Sequence, residues 1–182
     1  MDHKVQQKLD QLDKDLRLLL TDLDGYAEQK LNLKPNADAW SVFQVMHHLI
    51  LSEQTSLRYI QKKLSFNPEL KKAGIMAGMR HLFLKNYLKY PLKVKAPTLV
   101  SDSIPEQSTF WEVAKSWKNE RQALRTLLNT LPPEIYSKEI YKHPMTGKVT
   151  LAAMLDFFQA HFDRHKKQIH RTLESVDAVK VK

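Results

Sequence analysis

The chain contains no cysteine. Disulfides, thiolate nucleophiles and Cys-ligated zinc or iron–sulfur centres are thereby excluded together, so a metal here must be held by histidine, carboxylate or water. Glycine is scarce too, with 4 in 182 residues. All-β and doubly wound folds spend glycine in their turns, and helix is the expectation that remains. No run of ~18 apolar residues occurs, so no transmembrane segment is expected. Met1-Asp2-His3-Lys4 leads into a charged periodic segment without the apolar core of a signal peptide, and a cytoplasmic location is expected.

What is present is ordinary for a globular chain: 42% hydrophobic and 27% charged residues. The length suits one domain with a real core. A single helical domain over residues 1–175 and a frayed tail over 176–182 are expected. The formal net charge is +9, and its excess is local. Between Pro68 and Lys95, seven basic residues (Lys71, Lys72, Arg80, Lys85, Lys89, Lys93, Lys95) face Glu69 alone. The bland reading, a Lys-rich solvated helix face, is preferred to a surface for anionic lipid or nucleic acid, and nucleic acid is not an expected partner.

Val5, Leu9, Leu12, Leu16, Leu19 and Leu23 step by four and three residues, the seam of a helix closing near Gly25. Residues 31–40 read as a loop. Ser41 and Gln44 then form a capping box, and a second helix carries Val42, Val45, Met46, Leu49, Ile50 and Leu57 into the low sixties. The segment 68–91 keeps a rough helical period through Ile75, Met76, Met79, Leu82, Phe83, Tyr87 and Tyr90. An extended, proline-marked connection follows over 91–108. Thr109 and Glu112 form a second capping box before a helix that stops at Pro132-Pro133. His143 to Lys148 reads as a turn, and Thr150 caps a last helix to about residue 175. The fold class is all-α, a four-helix bundle with an additional helix or crossover.

That last helix holds His161-Phe162-Asp163-Arg164-His165. Histidines four residues apart stack on one helix face, and both fall within the apolar stripe of Leu151, Met154, Leu155, Phe158, Phe162, Ile169 and Leu173. Two neutral imidazoles so placed chelate a divalent ion without straining the helix. A third ligand must come from elsewhere, and His48 on the apolar side of the second helix is the best candidate; His47 points away. Zn, Ni and Fe all suit three imidazoles with open positions for water or substrate.

The stretch from Trp40 to Leu49 resembles the entry to the second helix in the DinB/YfiT-like superfamily of metal-dependent proteins. His143-Pro144, Gly147, Thr150, His161 and His165 resemble that family's closing segment, in the same order. The resemblance implies an up-down-down-up bundle, a metal triad at His48, His161 and His165, and a homodimer. Gln44, Ser52, His143 and Gln168 become expected pocket residues. Glu53 stands where the family often carries an acid, but about 140° around the helix from His48, so it is not expected as a ligand. The implied function is a metal-dependent hydrolase acting through metal-bound water on an unknown small-molecule substrate. The alternatives are a thiol-dependent transferase of the same fold, which would need its thiol from a co-substrate, and a non-enzymatic stress-response or metal-binding protein.

Overall fold

The protein is described from a computed structural model covering residues 1–87 and 103–179, without the side chains of residues 85, 87 and 179. Helix α1 (His3–Asp24) starts where the Asp2 carboxylate accepts the N–H groups of Lys4 and Val5, and ends at Gly25. Its leucine seam is buried throughout, and each such side chain contributes about 1.5–3 kcal/mol of burial free energy. A short helix α2 (Glu28–Asn32) precedes the loop to α3 (Val42–Ser65). Helix α4 (Ile75–Tyr87) is followed by α5 (Phe110–Thr130), a 3₁₀ turn over Pro133–Ser137, strands β1 (Tyr141–His143) and β2 (Gly147–Val149), and α6 (Leu151–Val179). Both expected capping boxes form, at Ser41/Gln44 and Thr109/Glu112, and the Thr150 hydroxyl accepts the Ala153 N–H.

The bundle consists of α1, α3, α5 and α6, and its side-chain bonds give the direction of each helix. Lys8 pairs with Asp156, Gln159 with Asp15 and Lys30 with Asp177, so α1 and α6 run parallel. His47 meets Ser108 and Gln54 meets Glu120, so α3 and α5 are parallel as well. Arg125 reaches back to Asp10 and Arg121 to Asp13, setting α5 against α1. Lys63 binds the Ile140 carbonyl while His48 meets His161, setting α3 against α6. The order is up-down-down-up, with α1 and α3 on opposite corners. Trp117, Phe43, Phe158 and Phe162 are among the largest wholly buried side chains.

The structure corrects three expectations. The turn at 143–148 belongs to an antiparallel hairpin, Tyr141 opposite Val149 and His143 opposite Gly147. Gly147 adopts φ 86°, a conformation that glycine takes without steric cost. The last helix runs to Val179 rather than 175: Val176 prolongs the Ile169–Leu173 stripe and is buried, and Asp177 pairs with Lys30, so residues 176–179 are helical, and the remainder of the expected tail lies outside the described residues. Finally, the helix expected over 68–91, with a Lys-rich outer face, begins only at Ile75 and is described to Tyr87, and the described side chains on its outer face are apolar; Lys89 and the Lys85 side chain lie outside the described residues. Ala77 and Leu84 face inward, while Ile75, Met76, Met79, Leu82 and Phe83 are more than half exposed. Tyr90 and most of the 91–108 connection lie outside the described residues.

Candidate metal centre

The capping box at Ser41 and Gln44 fixes the register of α3 and turns His48 inward to 9% exposure. Opposite it, α6 presents His161 and His165, one turn apart and partly buried. The His48 and His161 Nε2 atoms stand 3.0 Å apart, and the His165 ring packs edge-on against both others. One ligand nitrogen from each of the three lies within 4.8 Å of the others, the one such group of ligating side chains among the described residues.

The rings around this cluster hold it in place. Trp40 packs on His48 at 5.2 Å, and Phe157 stacks on His161 at 5.3 Å. Phe157 was not expected at the site, although its position one turn before His161 on the same face was a readable signal. The His165 Nδ1–H donates to Gln168 Oε1 at 2.8 Å, which fixes the tautomer and leaves the Nε2 lone pair for a cation.

Burial governs the charge state. It pushes His48 down to about 4. His165 is pushed to about 3, by burial first and then by His48. His161 lies well below its ordinary value, from burial and then its two partner histidines. All three are neutral at pH 7, the form that binds metal. One feature fits a cation at this point. The 3.0 Å approach of two ring nitrogens, His48 Nε2 and His161 Nε2, is close to the ~3.3 Å separation of two ligands on a tetrahedral ion with ~2.0 Å bonds. The other ring nitrogen of His48, the buried Nδ1, has no hydrogen-bond partner among the described residues.

The other expected pocket residues divide. Gln168 is at the site. His143 closes β1, with Nδ1 accepting the Met145 N–H, but Phe157 lies between it and His161, packing against both rings. Burial pushes His143 down to about 4. Gln44 spends its Oε1 on the Ser41 N–H within the capping box. Ser52 is partly buried one turn beyond His48, and its carbonyl accepts the Ser56 hydroxyl. The Glu53 carboxylate is taken up by Arg121 and Trp117 of α5. His47 turns away to Ser108.

The model of the DinB superfamily matches residues 9–169. The uncharacterized protein YuaE of Bacillus subtilis (strain 168) is 23% identical over 159 residues, 86% of this chain and 91% of YuaE. Among solved structures, YfiT from Bacillus subtilis superposes with a TM-score of 0.60 at 15% identity, covering 94% of this chain and 87% of YfiT. YfiT is described as a probable metal-dependent hydrolase with an unusual four-helix bundle topology.

Proposed function

The chain belongs to the DinB superfamily, and we propose that it is a metal-dependent hydrolase whose divalent cation is held by His48, His161 and His165. The observation that carries this reading is the convergence of three neutral imidazoles from two helices on one point. When bound, a cation supplies Lewis-acid polarisation of a substrate or water oxygen. The protein's own part is positional. Gln168 orients His165, and Trp40 and Phe157 wall His48 and His161, with His143 packed behind Phe157.

The test is metal content, by elemental mass spectrometry, of untagged wild type against His48→Ala and His161→Ala, with folding checked by circular dichroism. Near-stoichiometric metal in the wild type and none in either folded variant is expected. A panel of amide and ester substrates then tests hydrolysis, with a thiol-transfer assay beside it. Wild type that stays empty after zinc, nickel and iron incubation removes the metal centre; activity that survives His161→Ala removes the assignment of the chemistry to it.

Gln168→Leu is expected to weaken zinc binding about 10–100-fold, because the His165 ring loses the acceptor that fixes its tautomer. Competition against a fluorescent chelator reads this directly. Unchanged zinc affinity would show that Gln168 does not orient the ligand.

A further inference from the structure

Helix α4 departs from the economy of the rest of the chain. Its inner side is fixed to the body: Leu84 and Ala77 are buried, His81 Nε2 meets Asp156 at 2.5 Å, and Arg80 Nη1 donates to the Lys148 carbonyl at 3.2 Å. With that side committed, Leu82, Ile75, Met79 and Met76 fall on the outer side, within an arc of about 120°. They are 63%, 86%, 60% and 57% exposed. Scattered exposed apolar residues are normal, but large ones grouped on one helix face mark an interaction surface.

The charge around the arc is mainly of one sign. From residue 70 to 87 there is no carboxylate. Lys71 and Lys72 are exposed just before the helix. On the adjoining hairpin, Lys142 and Lys148 are exposed and directly opposite each other, a like-charge pairing that costs stability without an anion nearby. Of the neighbouring acids, Glu69 is exposed two residues before Lys71, while Asp156 is engaged by Lys8 and His81, and Glu139 by Arg80 at 4.0 Å.

We propose that α4 and the β1–β2 hairpin dock the protein on an anionic lipid bilayer, with Ile75, Met76, Met79 and Leu82 entering the headgroup–acyl boundary and Lys71, Lys72, Lys142 and Lys148 meeting the phosphates. An apolar helix face with flanking lysines is the composition that partitions to such a surface. A second copy fits less well, because pairing through this face would bring two sets of lysines together. Nucleic acid fits less well because the arc is mostly aliphatic, with Phe83 as the aromatic ring on it among the described side chains. The hairpin that carries the lysines also carries His143, so docking would place the candidate metal centre beside the membrane.

The experiment is flotation of the full-length protein with phosphatidylglycerol/phosphatidylcholine vesicles and with pure phosphatidylcholine vesicles. Wild type is compared with Met79→Gln/Leu82→Gln and Lys142→Glu/Lys148→Glu, with circular dichroism and light scattering on each. Binding to the anionic vesicles is expected to exceed binding to the neutral ones by about tenfold or more and to fall about tenfold in each double variant. Wild type that stays with the protein fraction at low salt overturns the proposal. So does anionic binding that 0.5 M salt abolishes and Met79→Gln/Leu82→Gln leaves intact, since the helix then does not insert. A dimer that Met79→Gln/Leu82→Gln splits, without vesicle binding, gives the face to a second copy instead.

Discussion

Arg121→Ala is expected to cost about 3–5 kcal/mol of folding stability, the largest loss of any single substitution discussed for this chain. Arg121 is 3% exposed and forks onto Glu53, with Nε and Nη2 at 2.5 and 2.8 Å from its two carboxylate oxygens. Glu53 is itself buried and accepts the Trp117 indole N–H at 3.3 Å. Burial alone would lower the Arg121 pKa, but Glu53 and then Asp13 outweigh it and hold the guanidinium charged. Truncating Arg121 leaves a buried carboxylate facing only an indole N–H. Glu53→Ala is expected to cost less, because Arg121 keeps Asp13 at 3.6 Å. The double change Glu53→Leu/Arg121→Met removes both desolvation costs and is expected to recover most of the loss. Urea unfolding at fixed pH checks all three, read as a shift in midpoint at constant slope. If Arg121→Ala lies within about 1 kcal/mol of wild type, the pair does not carry the α3–α5 interface.

This ion pair also marks the limit of what the sequence discloses. Glu53 and Arg121 are 68 residues apart, and neither position carries a local signature of the other. The histidine cluster was legible for the opposite reason. His161 and His165 are tied by helical spacing, and the Ser41/Gln44 box sets the register that turns His48 inward, so local rules reach the site from both sides. The same rules did not reveal the hairpin, because three-residue strands are too short for an alternating pattern to stand out. They misread α4 for a subtler reason. Apolar residues at helical spacing establish a face but not its direction, and here Ala77 and Leu84 suffice to bind the helix while the larger side chains face outward. The continuation of α6 past residue 175 was missed because Val176 and Asp177 gain their partners from the tertiary fold, the latter in Lys30 of α2.

Acidification is expected to destabilise the metal-free protein steeply between about pH 6.5 and pH 4. Burial holds His48 and His143 down to about 4 in the folded state, against about 6.5 in an unfolded chain. Above pH 6.5 neither state binds these protons, and stability is unaffected. Below it, the unfolded chain takes up protons that the folded chain refuses, so stability falls as pH falls. At pH 5 each of the two rings costs about 2 kcal/mol, roughly 4 together, and His161 and His165 act in the same direction. A domain with about 5–15 kcal/mol in hand has little left after that. Urea midpoints at pH 7, 6 and 5 measure it, and equal midpoints at pH 7 and 5 would show that the rings are not buried neutral. Saturating zinc separates the contributions. A cation held by His48, His161 and His165 competes with protons there and moves the transition to lower pH. His143 lies behind Phe157 and is no ligand in the proposed site, so its share should persist in zinc. His143→Phe should remove that share and leave zinc affinity unchanged.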